Sequence, residues 1–156
     1  MAQPTLAATI RPARRDDLAA ILALIGADPI SSSRAGHSAE VTPEVEAAFA
    51  AIDTSNDHYL LVVDEAGEVV GTLQLSLLPG LSRNGMRRAL IESVHVRADR
   101  RNHGLGAQLV RHALDLARHH GCGMAQLTSD KRRVDAHRFY ARLGFIASHE
   151  GMKLVL

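Results

Sequence analysis

The sequence predicts an α/β fold, with about four helices packed on a mixed, mostly antiparallel sheet of about six or seven strands. Three observations carry this. Residues 58–77 hold two apolar runs, HYLLVVD and EVVGTLQLSL, separated by Glu65-Ala66-Gly67, the pattern of an antiparallel hairpin. Leu105, Leu109, Val110, Ala113, Leu116 and Ala117 fall on one stripe of a helix. From residue 89 onward, apolar strands alternate with helical stretches, which builds helices onto a sheet.

The elements follow in order. Leu6 to Arg11 reads as a short strand. Asp16 to Ile25 reads as a helix, with Leu18, Ile21, Leu22 and Ile25 at helical spacing and two aspartates at its positive end. Ser31 to Val41 is small and polar, a loop. Thr42-Pro43-Glu44 starts a second helix, with Thr as cap and Pro at the first helical position. The hairpin strands come next, then a loop from Pro79 to Gly85 and a strand from Ala89 to Val96. A helix from about Gly104 to His119 ends at Gly121, and Met124 to Thr128 is a strand. A last helix, about Val134 to Leu143, is stopped by Gly144. Phe145–Ser148 and Met152–Leu156 are expected as closing strands.

The chain has 156 residues, 46% of them apolar, enough for one domain over 1–156 with a real core. Net charge is +1, which gives no global case for nucleic acid or a membrane surface. The cations cluster locally instead, at Arg87-Arg88, Arg97–Arg101 and Lys131–Arg133, which suits a small anion. The single cysteine, Cys122, allows no internal disulfide and fits a reducing cytoplasm. No apolar run approaches the roughly 18 residues that span a bilayer, and the N-terminus is a poor signal peptide. His119, His120 and Cys122 lack zinc-ligand spacing, so no metal is expected. His37 and His58 are weaker candidates for a substrate pocket.

The most informative stretch is RADRRNHGLGAQLVRHAL, a basic turn with two glycines between a strand and a helix. A dinucleotide fingerprint fails because Leu109 stands where a third glycine or alanine belongs. Gly80 to Gly85 has Walker spacing, but Met86-Arg87 follows instead of Lys-Ser. What remains is R-x-x-G-x-G, Arg101-Asn102-His103-Gly104-Leu105-Gly106. Backbone amides from Asn102 to Ala107 at a helix N-terminus suit a pyrophosphate.

With its strand and helix, this turn resembles the acyl-CoA site of the GNAT superfamily of CoA-dependent N-acyltransferases. Ala136-His-Arg-Phe139-Tyr140-Ala-Arg-Leu143-Gly144-Phe145 resembles that family's second signature, A-x-x-F-Y-x-x-x-G-F. The element order matches as well, so the resemblance covers nearly the whole chain. It implies a GNAT-like fold and acetyl transfer from acetyl-CoA to a primary amine by direct attack.

The resemblance also implies roles. An alkyl amine has a pKa of about 10, so roughly one molecule in a thousand is unprotonated at neutral pH and a base helps. Glu92 is the candidate base. In a regular strand it faces the same side as Leu90, Val94 and Val96, and apolar neighbours would raise its pKa; a bulge would change that facing. The alternative is a strand Glu paired with Arg88. The family implies the Val94 amide as oxyanion donor, pantetheine pairing along Val94, His95 and Val96, and Tyr140 as proton donor to the leaving thiolate. Tyr140 also fits an ordinary apolar helix face. Many relatives carry Asn where this chain has Arg133, which could reach phosphate instead.

The run KRRVDAHRFY with Ser148-His149 and Lys153 is similar to aminoalkylphosphonate N-acetyltransferases. That implies an acceptor amine bearing a phosphonate or another anion, with Arg87, Arg88, Lys131 and Arg132 as counter-charges. Amino sugars, antibiotics and a protein N-terminus or lysine remain open. An acyl-CoA-binding sensor is the alternative to an enzyme, and a nucleic-acid adaptor is disfavoured by charge and by few aromatics. A homodimer is expected, since family members often pair through C-terminal strands.

Overall fold

The computed structural model describes residues 7–34 and 38–156. Leu6 and His37 therefore lie outside the described residues. One sheet runs β1 (Thr9–Pro12), β2 (His58–Glu65), β3 (Glu68–Leu78), β4 (Arg88–Val96) and β5 (Met124–Leu127), in that spatial order. The first three pairings are antiparallel and β4–β5 is parallel. β2 and β3 turn through Ala66 and Gly67 at φ 56° and 87°, the two-residue hairpin that matches strand twist.

Helices cover both faces. α1 (Leu18–Gly26), the single turn α2 (Pro29–Ser32) and α3 (Pro43–Asp53) precede the hairpin. Thr42 caps α3 as expected, its hydroxyl accepting from the Val45 amide at 3.4 Å. The short turn α4 (Ser82–Gly85) lies inside the expected loop, with Arg83 and Asn84 in left-handed geometry. α5 (Leu105–His119) and α6 (Val134–Arg142) complete the set.

Two cores result. Leu61, Val63, Leu73, Leu75, Leu77 and Ile91 project to one face and pack on Leu109, Val110 and Ala113 of α5; Phe139 and Tyr140 of α6 join their rim. Val62 projects to the other face, against Ala13, Ile21 and the partly buried Ile25 and Phe49. Strand alternation sorts these residues: neighbours in sequence point to opposite sides.

The described sheet has five strands, not six or seven. Residues 145–148 and 152–156 form no ladder with β5, whose outer edge stays unpaired. Ile146, Met152, Leu154, Val155 and Leu156 are exposed. An apolar run such as Leu154-Val155-Leu156 can form a strand, but a strand needs a partner to satisfy its backbone.

Leu109 is 0% exposed at the centre of the larger core. Leu109→Ala is expected to lower unfolding free energy by about 3 kcal/mol, read from urea denaturation.

Candidate active site

The site is built by two irregularities in β4. The first is a bulge. Gln74 pairs with Glu92 and Thr72 with His95, so Ser93 and Val94 together oppose Leu73. Ser93 has φ 50°, in the left-handed region. The extra residue reverses the expected facing. Val94 and Val96 pack on the α5 core, while Glu92 stays on the opposite face with its partner Gln74, and His95 joins it opposite Thr72. Glu92 is therefore exposed rather than set among apolar residues, and its strand partner is Gln74, not an arginine.

The second irregularity is where pairing stops. β4 and β5 pair only from Arg88–Met124 to Ile91–Leu127. Beyond that, β4 runs on to Val96 with no strand on this side among the described residues. Just past the end of β5, the Ser129 hydroxyl is buried with no hydrogen-bond partner among the described residues. A buried hydroxyl without a partner at a strand gap fits a polar ligand entering there.

The glycine turn lies at the open end of β4. Asn102 and Gly104 have φ 64° and 80°. Gly104 is the N-cap of α5 and supplies no side-chain acceptor; the first intrahelical bond joins the Gln108 amide to the Gly104 carbonyl at 3.0 Å. The amides of Leu105, Gly106 and Ala107 thus have no acceptor within the helix. Gly106 has a second duty: a Cβ there would stand 3.4 Å from the Phe139 ring, so glycine lets α6 approach α5. His103 is exposed on the turn.

The arginines divide. Arg97 pairs with Glu68 and Asp99, and Arg100 with Glu65 and Asp99. Arg101 donates Nε to the Val96 carbonyl at 3.1 Å, and no carboxylate among the described residues pairs with it. It is the cation of this cluster left for an anion.

Arg133, at the N-cap of α6, is not free in the same way. It pairs with buried Asp28 and donates to Ser31 Oγ at 3.2 Å. Asp28 caps α2, accepting from the Ser31 amide at 3.1 Å and its hydroxyl at 2.6 Å. Burial would raise the Asp28 pKa, but the Arg133 and Ser31 donors and the Arg133 charge outweigh it and hold it far below the carboxylate range. Asp28 carries no sequence signal beyond a cap before Pro29, and its partner lies 105 positions away. Burial holds the nearby His95 imidazole below its usual value, so it is neutral at pH 7. Burial also raises the Tyr140 phenol, which stays protonated.

The four cations expected to meet an anionic acceptor do not converge. Arg87 pairs with Asp57 and donates to the His120 carbonyl, and Arg88 donates to Gln126. Lys131 pairs with Glu150, and Arg132 with Asp130. Among the weaker candidates, His58 hydrogen-bonds Ser76 and His120 hydrogen-bonds Tyr59.

Residues 27–145 match the model of the acetyltransferase (GNAT) family. The chain belongs to this family. It is 36% identical over 94 residues to an aminoalkylphosphonate N-acetyltransferase of Salmonella typhimurium, covering 60% of each chain. It is 33% identical over 90 residues to a glucosamine 6-phosphate N-acetyltransferase of Trypanosoma brucei brucei, covering 58% of this chain and 59% of that one. The chain thus spans about 60% of the length of these curated relatives. The crystal structure of a transcriptional regulator from Bacillus halodurans C-125 superposes with a TM-score of 0.91 at 37% identity, covering 96% of this chain and 100% of that one.

Asp28→Asn is expected to cost about 3 kcal/mol at pH 7, because it leaves the Arg133 charge uncompensated. The folded-state pKa of Asp28 lies below its ordinary 3.8, so its stabilisation is complete above about pH 4 and fades as pH falls through the folded value. The gap in Tm between parent and variant should hold from pH 7 to 5 and narrow only below pH 4. A constant gap down to pH 2 would count against the pair.

Proposed function

We propose that the protein transfers an acetyl group from acetyl-CoA to the primary amine of a small molecule by direct attack. The observation that carries this is the bulge at Ser93 beside the strand gap: it aims Glu92 to one face while leaving the Val94 backbone next to unpaired strand. Family membership supports the chemistry.

Acetyl-CoA supplies the acetyl group as an activated thioester. The amides of Asn102 to Ala107, with Arg101 and His103 beside them, hold the pyrophosphate. Val94, His95 and Val96 offer backbone groups to the pantetheine, and the buried Ser129 hydroxyl gains a partner. The Glu92 carboxylate takes a proton from the amine directly or through water, which its exposure permits. The Val94 amide donates to the carbonyl oxygen as charge develops there. Tyr140, kept protonated by burial, donates to the leaving sulfur. Arg133 contributes by orienting α6 through Asp28 and by its charge.

A phosphonate- or phosphate-bearing amine is suggested by the names of the two curated relatives. Against it, Arg87, Arg88, Lys131 and Arg132 are each engaged elsewhere. A second reading, an acyl-CoA-binding regulator without turnover, is favoured by the likeness to a protein described as a transcriptional regulator. Glu92 and Tyr140 at their positions favour turnover. The single cysteine supports the cytoplasm as its compartment. The unpaired edge of β5 and the exposed apolar residues from 146 to 156 support a homodimer.

Acetyl-CoA should raise Tm, and an amine panel should release free thiol. Thermal stabilisation without thiol release would establish the regulator instead. Glu92→Gln should lower kcat/KM about a hundredfold at pH 7, with the deficit shrinking toward pH 10 as the amine deprotonates unaided. Parental activity at every pH would remove Glu92 as base, and parental kcat in Tyr140→Phe would remove the acid. Light scattering should give twice 16.8 kDa; a single-chain mass would refute the dimer.

A further inference from the structure

A cleft of about 120 Å³ lies between α1 and α3, over the sheet face opposite α5. Its walls include Ile25 and Phe49, its floor Leu60 and Gln74, and it reaches the bulge residue Ser93. None of its described lining residues is charged. Its polar members are Thr72, Gln74 and Ser93, and the Thr72 hydroxyl is already committed to the Leu61 carbonyl at 3.1 Å.

The cleft is tied to Glu92 by register. Leu60 pairs with Gln74, and Gln74 pairs with Glu92, so the three form one cross-strand row on one face. Two members of the row line the cleft. Glu92 is the third, one strand spacing of about 4.8 Å further along. Glu92 thus stands beside the cleft on the same face of the sheet, next to the lining residues Gln74 and Ser93.

We propose that this cleft is the acceptor's apolar subsite, and that the acceptor is a primary amine carrying an alkyl or aryl group. This rests on the acetyltransferase function proposed above and names its substrate class. Size fits the assignment: an engineered apolar cavity of about 150 Å³ holds benzene, so a group of similar or slightly smaller bulk fills this one. Charge fits too. An anion in the cleft would lose its hydration with no cation to replace it, whereas an ammonium at the Glu92 end meets a carboxylate. The cleft takes the acceptor rather than the acyl chain because α1 and α3 lie over the Glu92 face, whereas Val94 and Val96 face the α5 core.

The test measures thiol release with acetyl-CoA and n-alkylamines from propyl to octyl, beside 2-aminoethylphosphonate and glucosamine 6-phosphate. The expected result is a rise in kcat/KM of about fourfold per added methylene, levelling off near benzene-sized bulk. Ala48→Trp, on the exposed rim of α3, should raise KM for hexylamine at least tenfold, with a retained acetyl-CoA thermal shift reporting the fold. A flat alkyl series with efficient turnover of either phosphorus-bearing amine would overturn the proposal and leave the acetyltransferase standing. So would an unchanged KM in folded Ala48→Trp, or a length dependence that follows hexanoyl-CoA rather than the amine. No thiol release with any amine would overturn both.

Discussion

One extra residue in β4 sets the arrangement of the site. Ser93 occupies left-handed backbone at φ 50°, a conformation that costs an L-residue roughly 1–2 kcal/mol. The strand holds it there because ladder pairs on both sides of it are satisfied: Arg88 to Glu92 pairs back to β3 before the bulge, and His95 and Val96 resume after it. Removing the bulge would return Val94 and Val96 to the face of Glu92 and expose two core valines. The core packing against α5 and the placement of Glu92 are thus one constraint seen from two sides of the sheet. Strain at this position is held by the hydrophobic core it makes possible.

Much of the charge in the basic run is paired locally. The run from Arg97 to Arg101 looks like an anion site in sequence because like charges lie together. In three dimensions Arg97 and Arg100 meet Glu68, Glu65 and Asp99. These pairs are substantially exposed and add little stability individually. Their effect is to subtract: they lower the local positive field and leave Arg101, held against the Val96 carbonyl, beside the uncapped end of α5. Arg87, Lys131 and Arg132 are paired with Asp57, Glu150 and Asp130 in the same way, whereas Arg88 donates to the neutral Gln126 amide and keeps its charge.

What was legible in the sequence is local. Thr42-Pro43 marks a helix start because cap chemistry involves only neighbours, and the α5 stripe and the β2–β3 hairpin follow from periodicity alone. The glycine turn was legible for the same reason. Three things were not. The facing of Glu92 depends on a bulge, and nothing in IESVHV distinguishes a bulged strand from a regular one. The closing strands depend on a partner, so the apolar character of residues 152–156 gives competence to pair without giving a neighbour. Arg133 looked like a substitute for a cofactor-binding asparagine, but its partner is Asp28, far away along the chain.

That last pair has a consequence for the site as a whole. Asp28 stands between α1 and α2, on the side of the sheet where α1 packs. Arg133 begins α6, whose Phe139 and Tyr140 pack on the opposite core. The pair therefore joins elements that the sheet otherwise keeps apart, past the end of β5 where the strand gap opens. A buried ion pair is weak evidence for stability, because desolvation offsets much of the attraction. Its directional hydrogen bonds, with Ser31 as a third member, fix a geometry that apolar contact alone would leave loose. The Arg34–Asp130 pair, at 3.9 Å, spans the same two regions more loosely. With Asp28–Arg133 in place, α1 and the helix carrying Tyr140 are held in one frame, the fixed geometry that the two-substrate transfer proposed above would use.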